Sequence, residues 1–473
     1  MSAPLSVGFD LDMTLIDTAP GFGSVLRALG DELGVAFPVA EMTSRLGPPL
    51  DHLLGPHLAV DAIAPAVDRF RTLYPAHAIE SVPLLPGAAD AVAAVRKAGG
   101  RVVVVTGKFT PNALLHLDHL GVAHDALAGE VWGIGKAEAL RSEGCTIYVG
   151  DHVHDVEGAL AAGATSVSVL SGGCDREELL AAGTHVVLHD LTAFPAWFAD
   201  HLLETRLAAL DEDLRRRGSV LVAYSGGADS AFLLAAAVRA LGAECVAAAT
   251  GYSHSLPESE RDPARAFAES LGVRVLTPET HEMERAGYRA NSGERCFFCK
   301  AELLDVLTPM AADLGLTHVA TGTNADDMVA GFRPGIRAAA ERGAVTPLAD
   351  AGLTKAQIRT ASLAWSLPTW DKPQAACLSS RIAYGIEVTP HRLARVERAE
   401  AAVRDGAAAL GVPLRDLRVR DLGDRATIEV DARLLPLAPE LEAKLLAGVR
   451  DAGFDEADLD PRGFRSGSLN ALL

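Results

Sequence analysis

Short runs of Val, Ala and Leu recur along this chain between longer helical stretches, and the whole alternation restarts near residue 200. Strands that are apolar on both faces belong to parallel sheets covered by helices on both sides. In the first half, strands are expected near 5–10, 101–105, 146–149, 165–169 and 185–188. In the second half they are expected near 219–224, 244–249, 273–276 and 317–321. Residues 192–217 have helical periodicity and link the halves. After about 374 the pattern changes, and residues 417–432, with helical stretches on either side, suggest a small α+β domain. The expected class is α/β throughout, apart from that C-terminal part.

A length of 473 residues leaves room for two to four domains with buried cores. The net charge of −19 disfavours a broad nucleic-acid interface. No apolar run is long enough to span a membrane, and the N-terminus lacks the basic-then-apolar pattern of a signal peptide. Six cysteines (145, 174, 245, 296, 299 and 377) in such a chain are expected to be reduced thiols or ligands, which places the protein in the cytoplasm.

The junction VLVAYSGGADS (220–230) runs from an apolar strand through Ser225, Gly226 and Gly227 into a helix opened by Asp229 and Ser230. Glycines there let the backbone approach an anion, and the helix start offers free N–H groups at the positive end of its dipole. The spacing is not that of a Walker loop. The string SGGxDS resembles the PP-loop of ATP pyrophosphatases, which cradles the pyrophosphate part of ATP.

The first half carries a second constellation. FDLDMTLIDT (9–18) sets Asp10 and Asp12 at a strand end, where one carboxylate can attack phosphorus and the other shuttle a proton. Thr106 ends RVVVVTGK, Lys136 stands in GIGKAEAL, and YVGDHVHD supplies Asp151 and Asp155, oxygen ligands suited to Mg²⁺. This set resembles the haloacid-dehalogenase (HAD) superfamily over residues 1–190. The resemblance implies a Rossmann-like domain with Asp10 as nucleophile and Asp12 as general acid/base. It puts Thr106 and Lys136 on the phosphate of a phosphomonoester substrate. Asp10, Asp12, Asp151 and Asp155 fall at the magnesium, and residues 18–85 form a helical cap. Position 13 is Met where many members have Gly.

Three more signals lie downstream. GERCFFCK holds Cys296 and Cys299, a metal or redox pair by spacing, without the second pair of a zinc ribbon. TGTNADD (321–327) offers Asn324, Asp326 and Asp327, either for a nucleotide or as a helix cap. WDKPQAACLSSRIAYG (370–385) combines Cys377 with Lys372 and Arg381, cations suited to phosphate, carboxylate or the support of a thiolate. With RPGIRAAAERGAVTPLAD, GLTKAQIR and the terminal GFRSGSLN, these make residues 215–473 resemble the LarE family of ATP-dependent sulfur transferases.

That resemblance implies a PP-loop domain over 218–373, after a helical linker at 191–217, and a sulfur-transfer and oligomerisation domain over 374–473. Ser225, Gly226, Gly227, Asp229, Ser230, Asn324 and Asp327 would bind ATP. The implied reaction adenylates a carboxylate of a pyridinium dicarboxylate mononucleotide, and a sulfur on Cys377 then displaces AMP. Arg381 is carried over as a catalytic residue. Members with three cysteines are associated with a 4Fe-4S cluster, here on Cys296, Cys299 and Cys377, whereas others sacrifice the single cysteine. A homo-oligomer is also implied. Arg418 with Arg420, and Glu429 with Asp431, share strand faces and are either site residues or solvated ones. Glu294 and Arg295 adjoin the cysteine pair. A tRNA thiolation enzyme or an amidating synthetase would share the loop. The acidic charge counts against the first, and the second has no use for Cys377.

Overall fold

The computed structural model describes residues 5–44, 46, 49–373 and 377–465. Parts of the Cys377 segment (374–376) and of the terminal motif (466–470) lie outside the described residues. The chain forms two compact units, one up to Leu202 and one from Leu203.

The first unit is built on six strands: β1 (Ser6–Phe9), β2 (Arg101–Val105), β3 (Ala126–Ala128), β4 (Ile147–Gly150), β5 (Thr165–Val169) and β6 (Val186–Leu188). They form one parallel sheet in the order β3-β2-β1-β4-β5-β6. The run Val102–Val105 is fully buried because helices cover both faces. The order reverses beside β1: the chain first adds β2 and β3 on one side, then β4 on the other. Ligands bind at such a switch point, beyond the carboxyl ends of the strands. Strand β3 was not expected; three residues, Ala-Leu-Ala, are too short to show a period. Between β1 and β2 stand the helices Ala19–Leu33, Val39–Thr43, Leu50–Leu54 and Val60–His77. They share a core of their own around Phe22, Leu26, Leu29, Phe70 and Tyr74, which makes the insertion a packed cap.

The second unit holds β7 (Val220–Ala223), β8 (Val246–Ala249), β9 (Arg274–Leu276) and β10 (His318–Thr321), parallel in the order β10-β7-β8-β9. Its helix Ala228–Leu241 is buried almost all round, which explains the run of alanines: small side chains let a central helix lie close to the sheet. A smaller sheet follows, of β11 (Leu417–Asp421), β12 (Arg425–Val430) and β13 (Glu456–Leu459). β11 and β12 are antiparallel, and β12 and β13 are parallel. The helices Pro390–Ala408 and Pro439–Asp451 pack there on a core of Leu393, Val396, Val419, Ile428 and Leu445. Among the described residues no helix is long and apolar enough to cross a membrane.

Candidate active sites

In the first unit, β1 ends at Phe9 and the chain turns at once, so Asp10 and Asp12 face one cavity of about 800 Å³. Thr106 follows β2 and Asp151 follows β4, both at carboxyl ends of strands, and all of them line that cavity with Lys136 and Asp155. Oxygens of Asp10, Asp151 and Asp155 lie within 4.8 Å of one another. Three buried carboxylates so close repel, and Lys136 holds them: its ammonium donates to Asp10 (2.8 Å), to Asp155 (2.5 Å) and to the Tyr148 hydroxyl (2.9 Å). Burial, opposed by Lys136 but reinforced by Asp155 and Asp12, pushes the Asp10 carboxyl up to about 7. Burial, then Asp155 and Asp10, raise Asp151 well above the usual carboxylate range. Its remaining help is a hydrogen bond from Thr14, at 2.9 Å.

Asp12 is not in that carboxylate group. Its carboxylate accepts from Lys108 at 2.6 Å and from the Thr18 hydroxyl. Burial raises its pKa, but Lys108 and these hydrogen bonds outweigh burial and hold it below the usual value. Asp12 is therefore ionised while Asp10 is poised near neutrality. Thr106 is buried and accepts from the Lys108 backbone N–H at 3.2 Å. Sequence reasoning missed Lys108, Tyr148 and Thr14, although Lys108 stands in the same short motif as Thr106. It also missed Gly172, where a Cβ would lie 1.8 Å from an Asp151 carboxylate oxygen.

In the second unit the glycine loop leaves β7. Gly226 has φ +73°, and a Cβ there would meet Ala264 at 2.9 Å. The loop is knit by hydroxyls: Ser225 and Ser230 Oγ are 3.1 Å apart, and Ser230 Oγ donates to the Gly227 carbonyl at 3.1 Å. A cavity of about 520 Å³ lies over it, lined by Ser225, Gly227, Asp229, Ser230, Asp327, Lys372, Cys299 and Cys377 among others. Lys372 donates to the Gly226 carbonyl (2.9 Å) and to Glu260 (2.5 Å). Asn324 caps the helix Ala325–Val329 and donates to Asp229, a residue lining the cavity, at 3.0 Å. Asp327 faces the cavity, bonded to Lys355 at 2.9 Å, while Asp326 accepts from the Lys355 backbone N–H at 2.7 Å.

Cys299 and Cys377 line this cavity; Cys296 is an exposed residue and does not. Burial, then the neighbouring Cys377, Glu282 and Cys296, push the Cys299 thiol up. The Arg381 guanidinium pairs with buried Glu400 (2.9 and 3.2 Å) and donates to the Cys377 carbonyl at 2.9 Å. Arg295 donates to the Ser379 carbonyl at 2.8 Å and Arg420 to the Ser380 carbonyl at 3.0 Å. Three buried guanidiniums thus fix the backbone of the turn that presents Cys377. Arg420 also pairs with Glu429 at 2.7 Å, and Asp431 accepts from two backbone N–H groups. Arg418, Arg420, Glu429 and Asp431 are buried, which sets aside the solvated-face alternative. Glu294 pairs with Arg337.

The two sites set a cluster of carboxylates around a lysine in one unit and a glycine loop sharing a cavity with two cysteines in the other. The family model of haloacid dehalogenase-like hydrolases matches residues 7–160, and a related HAD-hydrolase-like model matches 135–194. The chain is 30% identical to phosphoglycolate phosphatase of Mesorhizobium japonicum, covering 37% of this chain and 86% of that one. It is 39% identical to the uncharacterized protein slr1717 of Synechocystis, covering 58% of this chain and 99% of that one. It is 31% identical to pyridinium-3,5-bisthiocarboxylic acid mononucleotide synthase of Lactiplantibacillus plantarum, covering 57% of this chain and 96% of that one. The chain belongs to the family of that synthase, the LarE family, joined to a HAD-family domain at its N-terminus.

Proposed function

We propose that the second unit uses ATP to replace a carboxylate oxygen by sulfur on a pyridinium dicarboxylate mononucleotide, and that the first hydrolyses a phosphomonoester. The observation that carries the first reading is the single cavity shared by the glycine loop and Cys377. A carboxylate oxygen attacks the α-phosphorus of ATP and pyrophosphate leaves, held by Ser225, Gly226, Gly227 and Ser230 with Lys372 beside them. The Cys377 thiolate then attacks the acyl carbon, and AMP departs with the activated oxygen. Loss of a Cα proton and cleavage of the Cβ–S bond release the thiocarboxylate and leave dehydroalanine. Cys296, Cys299 and Cys377 would be the ligands of a 4Fe-4S cluster, which when bound would supply an external sulfide and spare the cysteine. Arg381 is a positioning residue through the Cys377 carbonyl.

In the first unit Asp10 passes its proton to Asp12 and attacks phosphorus as the carboxylate, and the ester oxygen takes that proton from Asp12 and leaves as an alcohol. Water then cleaves the aspartyl phosphate, with Asp12 relaying the proton and Lys108, Lys136 and Thr106 around the phosphate. The oxygens of Asp10, Asp151 and Asp155 fit a hard cation such as Mg²⁺, which when bound would offset their charge and that of the substrate. The thiol chemistry suits a reducing cytoplasm. The deciding experiment incubates wild type and Cys377→Ala with ATP and the dicarboxylate mononucleotide, following pyrophosphate, thiocarboxylate and protein mass. Pyrophosphate without thiocarboxylate in the variant supports the reading; equal thiocarboxylate in both refutes it. A loss of one sulfur per turnover marks the sacrificial route, and repeated turnover with iron bound marks the other.

A further inference from the structure

The first unit's cavity is far larger than the phosphate site at its floor, and its walls are aromatic. At about 800 Å³ it stands in the upper part of the range of ligand pockets, roughly 300–1,000 Å³. A two- or three-carbon phosphate ester would leave most of it unfilled. Phe22, Phe70, Tyr74, Phe109 and Trp132 line it, contributed by both the cap and the sheet-end loops. Polar groups also line it: Arg71 lies over the Phe109 ring at 4.6 Å and 3.7 Å from Glu130. A charged floor, an aromatic wall and a donor–acceptor pair match a ligand with an anionic end, a planar ring and polar ring edges.

Resting on the phosphohydrolase reading above, we propose that this site takes a mononucleotide: a ribose phosphomonoester bearing a planar heterocycle. Water supplies the oxygen that ends on phosphate, the 5′ C–O bond stays intact, and the P–O bond breaks to give a nucleoside and inorganic phosphate. Two sources share this chemistry. One is the AMP released by carboxylate activation in the second unit, and the other is a pyridinium mononucleotide of the kind that unit modifies. In either case the first unit consumes what the second unit's reaction handles or discards.

The test compares kcat/KM of the full-length chain with magnesium for AMP, nicotinamide mononucleotide, ribose 5-phosphate and glycerol 3-phosphate. A stacked ring is worth about 10- to 100-fold, so at least one ring-bearing ester should exceed ribose 5-phosphate by that factor. Which of the two leads identifies the source. Phe109→Ala and Trp132→Ala should shrink the ratio of ring-bearing to ringless ester. Ribose 5-phosphate or glycerol 3-phosphate turned over as well as both mononucleotides would overturn the proposal while leaving the phosphohydrolase reading intact. No turnover of any ester would overturn both.

Discussion

Replacing Lys136 by Met keeps the volume of a long side chain but removes the ammonium that binds Asp10, Asp155 and Tyr148. Both carboxylates are then buried without that cation. Breaking a buried ion pair from one side costs about 3–5 kcal/mol, because the stranded charge is left desolvated. The cost should depend on pH with a definite sign. Asp10 is pushed up to about 7 from 3.8, so it binds a proton more tightly folded than unfolded. Stability of the metal-free unit therefore rises as pH falls through 7, and keeps rising until the unfolded value is reached. Without Lys136 the Asp10 carboxyl moves higher still, so the variant regains stability from a higher pH than wild type does. The assay is hydrogen exchange of the peptides spanning β1 and β4 in the full-length chain, with chelator, at pH 8 and pH 6, corrected for intrinsic rates. Each 1.4 kcal/mol is tenfold, so protection at pH 8 should drop about a hundred- to several-thousand-fold, and by less at pH 6. Protection within threefold of wild type at pH 8 would refute the idea that Lys136 holds the carboxylates together.

Other consequences are more local. Gly172→Ala should displace the Asp151 carboxylate, since its Cβ would fall 1.8 Å from that oxygen, and weaken Mn²⁺ binding by about tenfold or more on titration. Gly226→Ala combines a φ of +73° with a 2.9 Å approach to Ala264, and should cost about 1–2 kcal/mol of stability and raise KM for ATP. His116 is pushed down to about 4 by burial, then by Lys108. Its protonation opposes folding, so stability should be lost as pH falls from about 6.5 toward 4, by at most about 3 kcal/mol. With magnesium present, His116→Gln should flatten that slope in thermal melts; an unchanged slope would place the loss elsewhere. Arg381→Met should strand buried Glu400 and loosen the Cys377 turn. The thiocarboxylate rate should then fall while ATP–pyrophosphate exchange persists, and equal losses in both would argue against a positioning role.

The sheets were legible because buried parallel strands write themselves as unbroken apolar runs, as in RVVVV and VLVA. Strand β13 was not legible, because its sequence Glu-Ala-Asp-Leu is half acidic and lies at a sheet edge. In the first unit Asp10, Asp12, Thr106, Lys136, Asp151 and Asp155 reach one cavity because each follows a strand end or opens the helix after it. Their division of labour was hidden. Nothing in the spacing of Asp10 and Asp12 says that Lys136 serves one and Lys108 the other, since both pairings join residues about a hundred positions apart. Arg381 shows the same limit. Its spacing of four residues from Cys377 says nothing of Glu400 on a later helix, to which its guanidinium also donates.

The cavity common to Ser225, Gly227, Ser230 and Cys377 bears on fidelity. An acyl adenylate is attacked readily by water, so an enzyme that made it in one place and used it in another would squander ATP. In the proposed reaction Cys377 stands within the same walls, and capture would be intramolecular at an effective concentration far above any free thiol. The ratio of AMP formed to sulfur incorporated should stay near unity, even when small thiols are abundant in solution.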